Sequence, residues 1–135
     1  MELRLDAAST VPIYAQIVEQ VRALVAARAL RPGDQLPSVR DLAVSIRVNR
    51  NTASKAYQLL EAEGVVETRH GHGCFVANAV PKWTKDERLR RIERSIDRAL
   101  VEAFHLEIPL EELPAILERR SRVFFKRQQQ PARKT

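Results

Sequence analysis

The segment "RHGHGCFV", residues 69–76, carries three side chains that bind metal ions in many proteins, spaced two residues apart. Imidazole nitrogens and thiolates are preferred zinc ligands, and a tetrahedral site needs three or four ligands held rigidly. Glycine alternates with these side chains, however, and glycine makes a segment flexible and prone to turn. Two interpretations follow: a metal site built by His70, His72 and Cys74, or a glycine-rich β-hairpin without metal.

Three helices are predicted to precede this segment. The first follows Pro12, which suits a first helical turn because its missing N–H costs nothing there. The second, of about nine residues, begins at Ser38 as N-cap with Asp41 three residues later. The third begins at Asn49, a good N-cap, and runs to Gly64, a natural helix end. Helical spacing of apolar residues predicts these buried positions: Ile13, Ile17, Val21 and Leu24; Leu42, Ala43 and Ile46; Ala53, Ala56, Tyr57 and Leu60.

Two short strands, "GVVET" and "CFVAN", are predicted on either side of "RHGHG". The predicted order is therefore three helices followed by a hairpin, with a tight turn between the second and third helices. Two short helices joined by about four residues are typical of a helix-turn-helix. In that motif the second helix enters the major groove of DNA, and its first residues meet base edges and phosphates.

The residues at the start of the third helix suit contact with DNA. Arginine can fork onto guanine, asparagine can pair with adenine, and threonine and lysine can hold phosphate. Arg40 and Arg50 each place a cation at a helix start, which the helix dipole disfavours by roughly 0.3–1 kcal/mol. An external anion at these positions would remove the conflict. The candidate DNA-binding residues of the two helices are Ser38, Arg40, Arg50, Asn51, Thr52 and Lys55.

After Pro81 a longer helix is predicted, with Thr84 as N-cap and Glu87 three residues later. Its apolar residues step by three and four, which makes a short heptad-like seam flanked by Arg and Glu. This seam favours dimerisation over packing on the first domain of the same chain. A second amphipathic helix follows, with Pro114 in its first turn because a proline deeper inside would break it. The predicted dimerisation residues are Leu89, Ile92, Ile96, Ala99, Leu100 and Ala103.

Composition narrows the class of protein. The net charge of +6 favours an anionic partner, although residues 1–81 hold nine Lys or Arg against eight Asp or Glu. No apolar run approaches the roughly 18 residues of a membrane span, and the N-terminus lacks a signal-peptide pattern. A single cysteine fits a reducing compartment. We expect a cytoplasmic, nucleoid-associated protein without a cofactor. No phosphate loop, Ser/His/Asp order or paired-carboxylate site indicates an enzyme.

Two longer stretches, "LRPGDQLPSVRDLA" and "VNRNTASKAYQLLEAEGVVETRHGHGCFV", closely resemble the winged-helix domain of GntR-type bacterial transcription regulators. The resemblance covers about residues 11–79. The motifs P-G-x-x-L-P-S-x-R, N/S-R-x-T, E-x-E-G and G-x-G-x-F-V occur in the family's order and spacing. The two predicted C-terminal helices resemble the YtrA-type subgroup, whose members carry a small helical dimerisation segment instead of a large effector domain.

The resemblance implies that the candidate residues of the second and third helices contact DNA. It implies further that the hairpin is a wing, with Arg69, His70 and Gly71 contacting the minor groove or phosphates. This interpretation gives each residue of the hairpin a role without a metal. The family often has glycine where this chain has Arg28 and Arg47. If Arg47 must adopt a left-handed conformation, the strain is of order 1–2 kcal/mol.

The predicted fold is mainly α with a small β-hairpin. It comprises a winged helix-turn-helix domain at 11–79, a two-helix dimerisation extension at 82–128 and a mobile tail at 129–135. The predicted function is that of a sequence-specific DNA-binding transcription regulator, a homodimer and a repressor rather than an activator. It would bind an inverted-repeat operator in double-stranded DNA through the helix starting near Arg50 and the wing at 69–74.

Three alternatives stay open at this point. A winged-helix module that binds protein would need an apolar exposed face on the third helix, and "RNTASK" is polar there. A metal-responsive regulator would use His70, His72 and Cys74. A regulator that senses an unidentified small molecule would need a pocket, for which the C-terminal segment is short.

Overall fold

The computed structural model describes residues 1–78 and 82–128, so the tail predicted at 129–135 lies outside the described residues. The chain divides into two units, Met1–Ala79 and Val80–Thr135. Within the described residues, no helix combines the length and the apolar character that crossing a bilayer requires. The core, the helix-turn-helix and the hairpin all belong to the first unit.

Short polar side chains fix the starts of the helices in the N-terminal unit. The Ser38 hydroxyl accepts a hydrogen bond from the backbone N–H of Asp41 at 3.0 Å. The Asn49 side chain accepts one from the N–H of Asn51 at 2.7 Å. Both predicted N-caps are therefore confirmed, and a helix begins directly after each of them. The helices are α1 (Ile13–Ala26), α2 (Val39–Ile46) and α3 (Arg50–Ala62).

An antiparallel hairpin follows α3, which confirms the prediction of a mainly α fold with a small β-hairpin. Strand β1 spans Val66–Arg69 and strand β2 spans Gly73–Val76, with Val66 opposite Val76. The first predicted strand began at Gly64, two residues before β1, and the second began at Cys74, one residue after the start of β2. Gly64 cannot belong to β1 because its positive φ of 77° closes the helix instead.

The core of the N-terminal unit lies between the three helices and the hairpin. The four positions predicted for α3 are all buried, and so are four of the seven predicted for α1 and α2. Ile13, Leu24 and Ile46 are half-buried, and Val18 is a buried residue that was not predicted. The core residues are Ile17, Val18, Val21, Leu36, Leu42, Ala43, Ala53, Ala56, Tyr57, Leu60, Val66 and Val76.

The first residues of the chain pack onto α1, a contact that no sequence pattern predicted. Leu3 and Leu5 lie against the core. The side-chain amide of Gln20 accepts a hydrogen bond from the N–H of Arg4 at 2.8 Å and donates to its carbonyl at 2.6 Å. Gln16, one turn earlier on α1, makes the same pair of bonds to the backbone of Asp6, both at 2.9 Å.

Three non-glycine residues among those described adopt positive φ. They are Arg28 at 57°, Arg47 at 56° and Glu107 at 57°. Arg47 is the C-cap of α2 in the left-handed conformation, so the strain of order 1–2 kcal/mol expected for it applies. Arg28 takes the same conformation just after α1. These are the two positions at which the resemblance implied glycine.

The C-terminal unit consists of two helices and a short turn between them. Helix α4 spans Lys85–His105, and Thr84 caps it by accepting a hydrogen bond from the N–H of Glu87 at 3.2 Å, as predicted. A 3-10 turn at Leu110–Glu112 leads into α5, Leu113–Gln128. Pro114 lies in the first turn of α5, again as predicted.

Candidate nucleic-acid interface

The start of α3 presents polar side chains to solvent. Arg50, Asn51 and Lys55 are exposed, and Thr52 is half-buried. Within the described part of the chain, the side chains of Arg50 and Asn51 make no hydrogen bond or ion pair. Their donors and acceptors are therefore available to a ligand, as base recognition requires.

Lys55 is held against α1. Its ammonium Nζ lies 3.9 Å from the centroid of the Tyr14 ring. A cation over an aromatic face is stabilised by roughly 0.5–1 kcal/mol at an exposed site. The contact holds the ammonium beside α1 without neutralising its charge.

Three arginines converge beside the start of α3. Arg40 in the first turn of α2, Arg47 at its C-cap and Arg50 at the start of α3 line a shallow depression of about 300 Å³. No carboxylate within residues 1–78 or 82–128 forms an ion pair with any of the three. The depression therefore keeps a concentrated positive charge. Its remaining lining residues are Ala43, Val44 and Val48.

Tyr57 positions α3 and lies in the core. Its ring is buried, and its hydroxyl donates a 2.8 Å hydrogen bond to the carbonyl of Pro37, just before α2. Burial raises the pKa of the phenol, so the hydroxyl stays protonated as a donor. The bond ties the middle of α3 to the segment that carries Ser38, whose own hydroxyl caps α2.

The predicted wing residues lie at the end of β1 and in the turn that follows. His70 and Gly71 are exposed, and Gly71 has a positive φ of 76° that suits the turn. The guanidinium of Arg69 is engaged within the hairpin: it lies 2.9 Å from a Glu67 carboxylate oxygen and 4.3 Å from the centre of the Phe75 ring. Arg69 is thus the candidate DNA-binding arginine whose charge has a partner.

The segment before α2 anchors the hairpin, and sequence patterns missed this contact. The N–H of Leu36 donates to the carbonyl of Cys74 at 2.8 Å, and the Gln35 amide donates to the carbonyl of His72 at 3.1 Å. Gly73 lies beside Gln35, and a Cβ at Gly73 would come within 2.9 Å of the Gln35 nitrogen. The wing is therefore oriented by pairing with a segment about forty residues earlier in the chain.

The hairpin does not assemble the three side chains that could bind metal. Among the described residues, no three His, Cys, Asp or Glu side chains come together in a metal-binding group. His70 and His72 are exposed in the turn, whereas Cys74 is half-buried against the core. Burial raises the pKa of the Cys74 thiol and the nearby Glu61 carboxylate adds to the effect. This favours the protonated thiol, and the thiolate is the form that binds metals.

The candidate dimerisation residues lie on α4 of the C-terminal unit. Leu89, Ile92, Ile96 and Leu100 are 37–59% exposed in the single chain, and Ala99 is exposed as well. Ala103, by contrast, is buried within its own chain. Five of the six residues thus form an exposed apolar face, while Ala103 contributes to the interior of its unit.

Known proteins resemble this chain in its N-terminal unit and, in some cases, in both units. The family described as "Bacterial regulatory proteins, gntR family" matches residues 13–76. The chain is similar to the HTH-type transcriptional repressor YtrA of Bacillus subtilis (strain 168), with 36% identity over 111 residues. That alignment covers 82% of this chain and 85% of the relative.

Two solved structures extend the similarity over both units. A transcriptional antiterminator from Listeria monocytogenes EGD-e superimposes with a TM-score of 0.78 at 31% identity, with 90% of each chain covered. YtrA from Sulfolobus acidocaldarius, a GntR-family transcription factor, gives a TM-score of 0.59 at 38% identity. That match covers 73% of this chain and 97% of the other.

Proposed function

The chain belongs to the GntR family of DNA-binding transcription regulators, which are not enzymes, and on this premise we propose that it is a homodimeric repressor binding an inverted-repeat operator. The observation that carries the proposal is the surface at the α2–α3 turn. Arg40 and Arg50 are exposed there, and no carboxylate in the described residues pairs with them. A surface of this kind matches the charge of double-stranded DNA.

In the proposed complex α3 lies in the major groove. Arg50 and Asn51, at its first turn, contact base edges because their donors and acceptors have no partner among the described residues. Thr52 and Lys55 contact phosphates and fix the register of the helix. Arg40, on α2, contacts the DNA backbone, because this helix crosses that backbone in a helix-turn-helix.

Ser38 and the wing have supporting roles in this proposal. Ser38 holds the start of α2 through its cap, which places Arg40. His70 and Gly71 lie at the tip of the wing and contact the minor groove or neighbouring phosphates. Arg69 shares its charge with Glu67, so its contribution to DNA binding is smaller than that of Arg50.

Two copies are required for an inverted repeat. The exposed seam of Leu89, Ile92, Ile96 and Leu100 would pair with the same residues of a second chain. A two-fold dimer then presents two α3 helices to half-sites about 34–36 Å apart. Occupancy of such a site blocks a promoter without further chemistry, which is why we favour repression. The Bacillus subtilis relative is itself named a repressor. We further propose that this chain acts in the cytoplasm, on the DNA of the nucleoid.

The direct test is selection of bound duplexes from a random pool by the purified protein, with a chelator present throughout. Enrichment of an inverted repeat supports a dimeric, metal-independent DNA-binding protein, and its half-site spacing tests the dimer. Enrichment only after zinc is added would favour a metal-responsive regulator. The absence of any enriched sequence under both conditions contradicts the proposed function and favours a protein-binding winged helix.

Arg50→Ala tests the orientation of α3 on the selected operator. Loss of a bidentate contact to a base weakens binding by roughly 1–3 kcal/mol and relaxes specificity at one position. Fluorescence anisotropy with the operator and its single-base variants measures both effects. Arg94→Ala, on α4, removes the same charge and serves as the control. Wild-type affinity and specificity in Arg50→Ala would show that α3 is oriented differently.

A further inference from the structure

Arg47 has a backbone conformation that favours glycine. Its φ of 56° and ψ of 50° place it in the left-handed region, where an L side chain is strained. Its backbone N–H closes α2 by donating toward the carbonyls of Ala43 and Val44, a role that glycine would fill equally well. Within the described residues, its side chain makes no hydrogen bond, ion pair or ring contact. The fold therefore depends on the backbone of Arg47, whereas its guanidinium has no structural role among the described residues.

Arg47 lies near two other cationic residues. It lines the same depression of about 300 Å³ as Arg40 and Arg50. The other lining residues, Ala43, Val44 and Val48, are apolar, and Val44 is largely exposed. Three cationic residues thus line one depression, and no described carboxylate forms an ion pair with them. A polyanion bound across the depression would supply the missing negative charge.

We propose that Arg47 binds a backbone phosphate of the operator and that Arg40 and Arg47 together form a phosphate-binding surface at the α2–α3 turn, beside the base contact of Arg50. This inference rests on the proposed function. Arg47 precedes Asn49, the N-cap of α3, so it lies outside the helix that enters the groove. It caps α2 instead, the helix that crosses the DNA backbone in this motif. Its contact is therefore with phosphate and is independent of base sequence.

The test is Arg47→Gly, measured on the operator at several salt concentrations. Loss of one phosphate contact reduces the slope of log affinity against log salt concentration by about 0.9. We expect affinity to fall about tenfold at moderate salt, by the same factor on single-base variants of the operator. The same substitution removes the strained conformation, so the melting temperature should rise. A residue with only a structural role would not change stability and affinity in opposite directions.

Two further variants separate the contact from general electrostatics. Arg28→Gly removes an equal charge from an equally strained position, φ 57°, which does not line the depression. It should raise the melting temperature like Arg47→Gly and leave the salt slope unchanged. Arg47→Lys keeps the charge and should retain most of the slope.

Different results distinguish the two proposals. A wild-type salt slope in Arg47→Gly, with the operator still bound, overturns the role of Arg47 and leaves the proposed function intact. Equal losses of slope in Arg47→Gly and Arg28→Gly also overturn it, because net charge alone would then explain the effect. A wild-type protein that binds no operator overturns both proposals.

Discussion

The N-terminal unit and the C-terminal unit treat their apolar side chains in opposite ways. Twelve residues form the core of the first, and Ile17 and Leu60 within it are fully buried. In the described part of the second, Ala103 is the one buried residue, while leucines and isoleucines of α4 remain exposed. The first unit can therefore fold within one chain, whereas the second presents an apolar face that needs another surface to cover it.

This difference predicts two kinds of stability. A core made within one chain contributes a free energy of unfolding that does not depend on protein concentration. A face covered by a second chain contributes through association, so its effect rises with concentration. Variants in the two units should separate these contributions, and the largest effect is expected in the core.

Leu60→Ala should lower the free energy of unfolding by about 2–5 kcal/mol, because it leaves a cavity in a fully packed core. Urea denaturation at two protein concentrations measures the effect, which should be the same at both. Leu59→Ala is the matched control, since Leu59 is the adjacent leucine of α3 and is 37% exposed. Similar losses in the two variants would contradict the placement of Leu60 in the core.

Ile96→Lys should separate the proposed dimer, because the lysine places a charge in the middle of the apolar seam. We expect the dimer dissociation constant to rise about 100-fold, or about 2.7 kcal/mol. Light scattering at micromolar concentrations measures it. Val101→Lys, at a site that is 60% exposed and outside the spacing of the seam, is the control. A monomeric wild-type protein under these conditions would rule out the seam as an interface.

Gly73→Ala tests whether the wing belongs to the stable part of the N-terminal unit. A Cβ at this position meets the Gln35 nitrogen at 2.9 Å, and the φ of 108° disfavours any L side chain. The free energy of unfolding should fall by about 1–2 kcal/mol. Gly71→Ala has open space around its Cβ and isolates the cost of positive φ alone.

Operator affinity should fall with wing stability in Gly73→Ala. Adding Gln35→Ala removes the close contact and should recover part of the loss, although it also removes the bond to His72. Equal melting temperatures for Gly73→Ala and the wild-type protein would mean that the hairpin unfolds independently of the core.

Glu87→Gln should give the smallest effect and show how α4 is held at its surface. The Arg90 hydrogen bond, followed by the charges of Arg90, Arg91 and Arg94, lowers the pKa of Glu87 below its ordinary 4.5. A carboxyl with a lowered pKa contributes stability above its ordinary value and loses it as the pH falls through the folded-state value. The variant should therefore have a slightly lower melting temperature than the wild-type protein at neutral pH.

The same difference should vanish in strong acid and in high salt, because the pairs are exposed and screened. Thermal melts followed by circular dichroism at two pH values measure it. A difference that persists below the folded-state pKa would mean that Glu87 acts through packing and not through charge.

Local patterns predicted more of this structure than contacts between distant segments. The buried stripe of α3, from Ala53 to Leu60, follows from helical periodicity, and the caps Ser38, Asn49 and Thr84 follow from residue type. These features depend on residues within four positions along the chain, so they can be predicted from a single sequence.

The features that sequence patterns missed depend on tertiary geometry. The orientation of β2 depends on pairing with the segment around Gln35. The convergence of Arg40, Arg47 and Arg50 depends on the angle between α2 and α3, which residue spacing does not specify. The assignment of DNA contacts to individual residues stays a prediction, since it depends on a complex with DNA.

The side chains of Gln16 and Gln20 hold the first residues of the chain by their backbone alone. The Asp6 carboxylate also accepts a hydrogen bond from the N–H of Ala8 at 2.9 Å. Evolution is therefore free to change the side chain at Arg4 but not at Asp6, because Gln20 binds the backbone of any residue at position 4. Proline is the exception, since it has no N–H to donate. Selection at this edge should accordingly act on the two glutamines and on Asp6, and not on Arg4.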